Sequence, residues 1–380
     1  MKRIMIVAGE ASGDLHAAGL VKSLKLIDPH LQFFGLGSKK MQEAGVKVIY
    51  DMSRLAIVGF FEILNHLGTF KALFEKLKKM LETKKVDAVI LVDYPGFNLR
   101  LAKVAKEKNI PVIYYISPQI WAWGKDRIDL IKRYVDKMIV IFGFEEDIYK
   151  EVGVKVNFVG HPFLDIVRPE WKKEDAIWHL KLNHHSTKIA LLPGSREKEV
   201  TTHLPIILKA CEIIKKSIPD AEFILSKRKE LDPQLYNRIL QRSRIKVHFL
   251  ENRPYDILNV SDIAIVSSGS ATLETAIIGR PMVIIYKTSI LTWLFARRLI
   301  RISNIGLVNI VAGKRIVPEL VQFEVTPKNI AEELMRILKD KKLYHHIKEG
   351  LERVKSKLGE PGATRRAAHT IYNFIVNKTY

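Results

Sequence analysis

The sequence predicts an α/β protein of two domains, each built on a parallel sheet with crossover helices. A chain of 380 residues is longer than a single hydrophobic core usually supports, so two domains are expected. Short runs rich in β-branched residues alternate with amphipathic stretches along the chain, which is typical of parallel sheets. The alternation breaks over residues 160–175 and then starts again.

The N-terminal half contains the first series of strands. Apolar runs predict strands near residues 2–8, 31–36, 47–50, 86–92, 111–116, 137–142 and 156–160. Helical spacing is clearest at residues 14–27 and 61–81. Glycine, proline, asparagine or aspartate follows several of the runs directly, where helices begin.

The second series follows the break, with strands predicted near residues 187–192, 221–226, 246–250, 263–267 and 281–286. Helices at 327–339, 341–357 and 361–376 close the chain. The two halves share one plan, that of two facing Rossmann-like sheets. Because ligands of open parallel sheets bind beyond the carboxyl ends of the strands, we expect a cleft lined by those ends.

Composition narrows the function classes. No apolar run is long enough for a spanning helix, and the short run after Lys2 and Arg3 reads as a strand, so we expect a cytoplasmic protein. Cys211, the single cysteine, lies among apolar residues, which favours a buried thiol and excludes a disulfide framework. The net charge of +21 suits nucleic acid, anionic lipid or a phosphorylated substrate, or serves only solubility.

The strongest local motif joins the apolar run 263–267 to a predicted helix through small and hydroxyl residues. Free N–H groups at that helix start would bind a diphosphate, and a carboxylate one turn later would accept hydrogen bonds from ribose. Ordinary helix capping is the alternative interpretation. The candidate residues are Ser268, Gly269, Ser270, Ala271, Thr272 and Glu274.

A second loop, at 193–199, follows another predicted strand of the same half. Gly194 and Ser195 would allow backbone to approach a phosphate, and Arg196 offers a permanently charged fork. Alternatively, Arg196 pairs with Glu199 on a helix surface. Two phosphate-suited strand ends in one sheet favour the binding function.

The N-terminal half offers polar side chains at two strand ends. Glu10 and Ser12 follow the first strand and are candidates for recognising substrate hydroxyls, whereas Asp14 is more simply a helix cap. Asp93 ends the apolar run 89–92 and is well placed for a general base, with turn capping as the alternative. His161 is equally a hinge residue or a catalytic one. The histidines and the single cysteine show no metal-ligand spacing, so we expect no metal or other cofactor.

Two apolar stretches carry cations and would suit a membrane surface, although most such stripes face a core. The first contains Ile57, Val58, Phe60, Phe61 and Leu64 and continues toward a lysine-rich end. The second contains Trp293, Arg297, Arg298 and Arg301.

Together these motifs resemble the lipid-A-disaccharide synthases, inverting glycosyltransferases of the GT-B fold. The likeness extends over nearly the whole chain. It is carried by VAGEASGD (7–14), DYPGFN (93–98), SPQIWAW (117–123), GHP (160–162), LLPGSR (191–196), SGSATLE (268–274), LVNIVAG (307–313) and VPEL (317–320).

The resemblance implies that UDP-2,3-diacylglucosamine donates its sugar to 2,3-diacylglucosamine 1-phosphate, forming a β(1→6) disaccharide and UDP for lipid A and lipopolysaccharide, without a metal. Asp93 then matches the base, and Arg196 with residues 268–274 holds the diphosphate. Asn309, Glu319 and Gln322 would line the donor site. The acylated substrates imply peripheral contact with the cytoplasmic face of an anionic inner membrane.

The resemblance also implies a domain organisation. Residues 1–165 would bind acceptor and membrane, residues 166–360 would bind the UDP-sugar, and helix 361–380 would cross back to the first domain. It is compatible with a homodimer. Tyr94 and Gly96 stand where the family pattern has a small and an acidic residue, so the motif at Asp93 lacks a second carboxylate.

Two rival functions follow from the same residues. Another enzyme of UDP-sugars, such as a transferase for a non-acylated acceptor or a 2-epimerase, would use the same scaffold. A basic nucleic-acid-binding protein would explain the charge, but no basic and aromatic motif supports it, so we expect no specific nucleic acid partner.

Overall fold

The computed structural model describes residues 1–53, 67–121, 127–290, 293 and 304–377. The chain forms two compact units. One comprises Met1–Asp165 with Leu358–Tyr380, and the other Ile166–Lys357.

The first unit contains a sheet of seven parallel strands in the order β3-β2-β1-β4-β5-β6-β7. The strands are β1 (Arg3–Ala8), β2 (Gln32–Gly37), β3 (Val46–Asp51), β4 (Ala88–Val92), β5 (Val112–Tyr115), β6 (Lys137–Val140) and β7 (Val156–Phe158). All five residues of β4 are buried, because helices cover both faces of a parallel sheet. This explains why the strand reads as a continuous apolar run.

The helices of this unit follow the strands as crossovers. They are α1 (Ala11–Ile27), α2 (Lys39–Glu43), α3 (Leu67–Thr83), α4 (Pro95–Glu107), α5 (Arg127–Tyr134), α6 (Gly143–Glu151) and α7 (Phe163–Ile166), which ends one residue into the second unit. Of the helix predicted at 61–81, residues 61–66 lie outside the described ranges.

The second unit contains six parallel strands in the order β10-β9-β8-β11-β12-β13. They are β8 (Lys188–Leu192), β9 (Glu222–Lys227), β10 (Val247–Glu251), β11 (Ile263–Ser267), β12 (Met282–Tyr286) and β13 (Glu319–Val321). The sequence did not predict β13, because three residues are too few to show a period.

The helices of the second unit also alternate with its strands. They are α8 (Lys173–Leu180), α9 (Glu197–Ser217), α10 (Pro233–Leu240), α11 (Pro254–Val260), α12 (Ser270–Ile277), α13 (Leu307–Ala312), α14 (Pro327–Lys339) and α15 (Lys341–Lys357). No helix in the described part of the chain is long and apolar enough to cross a membrane.

The last helix, α16 (Ala363–Asn377), belongs to the first unit, where it packs on α1. The Arg366 guanidinium fixes its start by donating to the carbonyl of Val159 at 2.9 Å. The side chain of Asp165 accepts a hydrogen bond from the N–H of Gly362. The return of the last helix to the first unit agrees with the predicted fold class.

Each sheet has one place where the strand order reverses. In the first unit it lies between β1 and β4, which pair with Ala8 opposite Val92. In the second unit it lies between β8 and β11, which pair with Leu192 opposite Val266. Chains that leave two such strands turn away to opposite faces of the sheet, and a crevice opens between them. The candidate motifs follow these four strands.

Candidate active site

Asp93 is held rigidly at the carboxyl end of β4. Its backbone has the left-handed conformation, with φ at 49°. Its N–H donates to the carbonyl of Tyr115 at 3.2 Å. Its own carbonyl accepts hydrogen bonds from the Tyr114 hydroxyl at 2.5 Å and from Asn98 Nδ2 at 2.7 Å. These contacts fix a strained conformation, which is common where a side chain must point in one direction.

Burial raises the pKa of Asp93 to about 6. The negative charge of Glu10 is the second contribution to this rise, and a hydrogen bond from the backbone N–H of Tyr94 opposes it. A carboxylate with a pKa close to neutrality is both ionised at pH 7 and basic enough to accept a proton in a transition state. The arrangement therefore suits a general base.

Glu10 and Ser12 lie where the chain leaves β1, the neighbour of β4. Both residues are exposed at the start of α1. Position 9, just before them, requires glycine, because a Cβ there would lie 2.3 Å from the Tyr94 ring. The motif at Asp93 lacks a second carboxylate, but the fold supplies one from Glu10.

Asp14 caps a helix, but not its own. Its Oδ1 accepts a hydrogen bond from the N–H of Ser38 at 2.5 Å, and its Oδ2 accepts one from Lys40 at 3.1 Å. The carboxylate thus satisfies the free donors at the start of α2. Asp14 is structural, as predicted, although it joins two helices.

His161 is buried inside the first unit, beside His16. Burial lowers the pKa of His161 to about 3 and that of His16 to about 4. His161 Nδ1 accepts a hydrogen bond from the N–H of Phe163 at 3.1 Å. The backbone N–H of His161 donates to the carbonyl of Leu358 at 2.8 Å. A buried, neutral imidazole with these contacts fits a structural role, and a hinge at His161 stays a prediction.

In the second unit, the turn from β11 into α12 is open. Gly269 has φ at 146°, and a Cβ built there would meet nothing within 4 Å. Gly269 and Ser270 are exposed, and Ala271 is half-buried. The first N–H groups of a helix have no partner within it and carry its positive dipole end. The turn is therefore suited to an anion such as a diphosphate.

Two hydroxyls of this motif have other partners. Thr272 is fully buried, and its Oγ1 donates to the carbonyl of Gly269 at 2.8 Å. The hydroxyl therefore closes the turn, and direct contact of Thr272 with a diphosphate stays a prediction. Ser268 Oγ donates to the carbonyl of Ile305 at 2.9 Å, and this hydrogen bond connects the turn to the segment before α13.

The loop after β8 lies beside that turn, because β8 and β11 are neighbours. Glu199 Oε2 accepts hydrogen bonds from the N–H groups of Ser195 at 2.8 Å and Arg196 at 3.3 Å. Gly194 makes room for Glu199, since a Cβ would lie 2.4 Å from the Glu199 Cβ. Our expectation that Gly194 and Ser195 offer free backbone to phosphate is corrected: a carboxylate of the chain already fills that place. The exposed Arg196 side chain remains the candidate ligand.

Asn309 and Glu319 are buried and bonded to each other. Asn309 Nδ2 donates to Glu319 Oε1 at 2.7 Å and to the carbonyl of Val317 at 2.9 Å. The Glu319 carboxylate accepts hydrogen bonds from the N–H groups of Ile305 at 2.8 Å and Gly306 at 3.0 Å. Their predicted contact with the donor is not what the geometry favours, because their polar atoms are already engaged. They hold the segment to which Ser268 is anchored.

Gln322 is likewise buried and engaged. Its Nε2 donates to the carbonyl of Thr288 at 2.9 Å, and its Oε1 accepts the N–H of Thr288 at 3.1 Å. These two hydrogen bonds connect the segment after β12 to the residue that directly follows β13. These hydrogen bonds give Gln322 a structural role, and its contact with the donor stays a prediction.

Glu274 faces two residues that the sequence did not single out. Burial raises the pKa of Glu274, while the charge of Arg228 and a hydrogen bond from Ser270 oppose that rise. Burial and the charge of Glu274 raise the pKa of Tyr255. Arg228 follows β9 directly and Tyr255 lies in α11. Each follows a strand end, but a single residue there forms no recognisable motif.

Most of the predicted membrane residues lie outside the described ranges: Ile57, Val58, Phe60, Phe61, Leu64, Arg297, Arg298 and Arg301. Trp293 is described, and its ring meets that of Phe323 edge-on at 5.3 Å. Phe323 is 64% exposed and Ile290 58% exposed. Within the described ranges, no three His, Cys, Asp or Glu side chains are grouped so as to hold a metal ion.

Comparison with known proteins decides the family. A family model described as lipid-A-disaccharide synthetase matches residues 4–371. The chain belongs to this family. It is 43% identical over 373 residues to the lipid-A-disaccharide synthase of Geobacter sulfurreducens, with 98% of this chain and 97% of that protein covered. It is 44% identical over 368 residues to that of Syntrophus aciditrophicus, covering 97% and 96%.

Solved structures share the fold at low identity. The calicheamicin glycosyltransferase CalG4 matches with a TM-score of 0.66 and 14% identity, over 100% of both chains. The UDP-GlcNAc 2-epimerase of Neisseria meningitidis, bound to UDP-GlcNAc, matches with a TM-score of 0.62 and 15% identity, over 98% of this chain and 100% of that chain. These family members and neighbours confirm the predicted GT-B fold class and the predicted family.

Proposed function

We propose that this protein transfers the sugar of UDP-2,3-diacylglucosamine to 2,3-diacylglucosamine 1-phosphate, giving the β(1→6) disaccharide 1-phosphate of lipid A and UDP. Membership of the lipid-A-disaccharide synthetase family over residues 4–371 carries the proposal. The positions of the polar groups at the two points of strand reversal support it.

Asp93 acts on the acceptor. Its carboxylate accepts the proton of the acceptor 6-hydroxyl while that oxygen attacks the anomeric carbon of the donor. The bond from this carbon to the UDP oxygen breaks, and its electron pair leaves with UDP. Attack opposite the leaving group inverts the anomeric centre. The raised pKa of Asp93 and its fixed backbone support this role.

The second unit takes up the charge of the leaving group. The start of α12 offers N–H groups and a positive dipole end, and Arg196 offers a permanent charge. Both stabilise the diphosphate more strongly as negative charge develops on it. Glu274, near Arg228 and Tyr255, would accept hydrogen bonds from the ribose of the nucleotide.

We also propose peripheral contact with the cytoplasmic face of an anionic membrane. Both substrates carry acyl chains, and the net charge of +21 favours anionic lipid. The exposed side chains of Ile290 and Phe323, beside Trp293, support an apolar contact in the second unit. Arg297, Arg298 and Arg301 follow in sequence and would meet the headgroups.

A 2-epimerase is the alternative, because proteins of that activity share the fold. The two reactions differ in their substrates and products, because only the transferase requires the acceptor and forms a disaccharide. Purified protein is incubated with UDP-2,3-diacylglucosamine, with and without the acceptor, and the products are identified by mass and by NMR of the linkage. The proposal expects a β(1→6) disaccharide only with acceptor. An epimerised UDP-sugar that forms without acceptor, and no disaccharide, would contradict it.

A further inference from the structure

Glu145 is a buried carboxyl group that the proposed mechanism does not use. It lies in α6, directly after β6, and is 2% exposed. Its Oε1 accepts hydrogen bonds from Ser117 Oγ at 2.7 Å and from Trp121 Nε1 at 3.1 Å. One carboxyl oxygen thus connects α6 to two residues of the segment 117–121.

Burial of the Glu145 carboxyl group is unfavourable for the free energy of folding. Burial raises its pKa to about 7, against the opposing effect of the hydrogen bonds from Ser117 and Trp121 and of the nearby backbone N–H groups of Phe142 and Ile141. Its second oxygen, Oε2, is buried and has no hydrogen-bond partner in the described part of the chain. A buried polar atom without a partner destabilises the folded state, so fold stability alone does not explain a carboxyl group at this position.

The tethered segment begins beside Asp93. It leaves β5, the neighbour of β4, and the N–H of Asp93 donates to the carbonyl of Tyr115, the last residue of β5. Ile116 then turns the chain with φ at 64°, a strained value for a β-branched residue. Ser117 is the next residue, and it is buried.

Trp121 is held on a second side by aromatic rings. Its ring meets Phe144 edge-on at 5.4 Å, and Phe144 stacks on Phe142 at 5.5 Å. The indole remains partly exposed. It is thereby fixed by one hydrogen bond and one ring contact, and offers an apolar face of the kind that lines ligand sites.

We infer that Glu145 is a positioning residue for the acceptor: it holds Ser117 and Trp121 so that the segment 117–121 forms the wall beside Asp93 on which the acceptor sugar packs. The inference rests on the proposed function, because the acceptor hydroxyl must reach Asp93. The wall belongs to the unit that carries the base, so its loss affects the acceptor and leaves nucleotide binding in the second unit unchanged.

The test compares Glu145→Ala with Glu145→Gln. Loss of both hydrogen bonds in Glu145→Ala raises the KM for the acceptor about tenfold, while the KM for the UDP-sugar changes less than about twofold. Glutamine keeps an oxygen in the place of Oε1, so Glu145→Gln restores the acceptor KM to within about threefold of the wild-type value. If Glu145→Ala does not fold, Ser117→Ala with Trp121→Phe removes the same two donors and leaves the carboxyl group.

Coupling gives a second readout. If Glu145 acts through the segment 117–121, the double variant Glu145→Ala with Trp121→Phe raises the acceptor KM no more than the single variant with the larger effect does. Equal rises in both KM values, or an unchanged acceptor KM in Glu145→Ala, would overturn the inference. Wild-type protein in the same assay separates the two hypotheses. If the wild type forms no disaccharide, the proposed function fails. If the wild type forms disaccharide and Glu145→Ala gives either of these results, only the role of Glu145 is refuted.

Discussion

Glu10 and Asp93 follow two neighbouring parallel strands, and the charge of Glu10 raises the pKa of Asp93. The two carboxyl groups therefore lie on the same edge of the first sheet, where its strand order reverses. A nearby negative charge disfavours the ionised form of a carboxyl group, so Asp93 holds a proton more strongly than an isolated aspartate does. The half-buried Asp93 is therefore a stronger base than a free aspartate.

The first prediction concerns pH. Asp93 must be ionised to accept a proton, so kcat/KM for the acceptor falls as the pH drops through about 6. Glu10→Gln removes a negative neighbour, which lowers the pKa of Asp93 and moves the acidic limb to lower pH. Glu43→Gln, an exposed change of equal charge, is the control. An acidic limb at the same pH in Glu10→Gln and wild type would refute the coupling.

The second prediction concerns Arg196. Arg196→Ala removes a charge-assisted donor and weakens UDP binding at least about tenfold in calorimetry. Lys198→Ala removes the same charge from an exposed neighbour in the first turn of α9 and changes the affinity little. If the two variants weaken UDP binding equally, the positive charge of the second unit as a whole, and not a contact with Arg196, determines the affinity.

The third prediction separates support from ligand contact at Glu319. Glu319→Ala leaves the N–H groups of Ile305 and Gly306 without a partner and lowers the free energy of unfolding by about 1–3 kcal/mol. Urea unfolding measures this, with the exposed Glu332→Ala as control. Unchanged stability together with lost UDP affinity would instead support direct contact with the donor.

The fourth prediction concerns the membrane. Vesicles with anionic lipid carry the protein upward in flotation at low salt and less at high salt, because salt screens the attraction. Phe323→Ser weakens flotation, whereas Trp178→Ser, at another exposed aromatic of the same unit, does not. Flotation that is equal with neutral and anionic vesicles would contradict an electrostatic contribution, and unaltered flotation of Phe323→Ser would exclude that side chain.

Much of the fold could be predicted because fully buried strands have a simple sequence signature. Strands β4, β8 and β11 are buried along their whole length, and each contains an apolar run that is followed by a polar residue or by proline and glycine. The order of the strands does not follow from such runs, since each run is compatible with several neighbours. The positions of strand reversal, which bring Glu10 to Asp93, therefore required the structure.

The sequence located polar residues that end a strand, as at Asp93, but it did not show which motif residues are bonded inside the protein. Asn309 and Glu319 stand in a recognisable motif, but a sequence pattern does not distinguish a ligand contact from an internal hydrogen bond. Arg228 and Tyr255 were missed because each is a single residue outside any motif, brought to Glu274 by the folding of separate segments.

Asp93→Asn tests the central claim most directly, because asparagine keeps the shape of the side chain and cannot accept the proton. Disaccharide formation is measured by mass for the variant and the wild type, and UDP affinity by calorimetry on the same preparations. We expect turnover to fall at least about a hundredfold while UDP affinity is retained. Turnover at the wild-type rate would show that another group activates the acceptor.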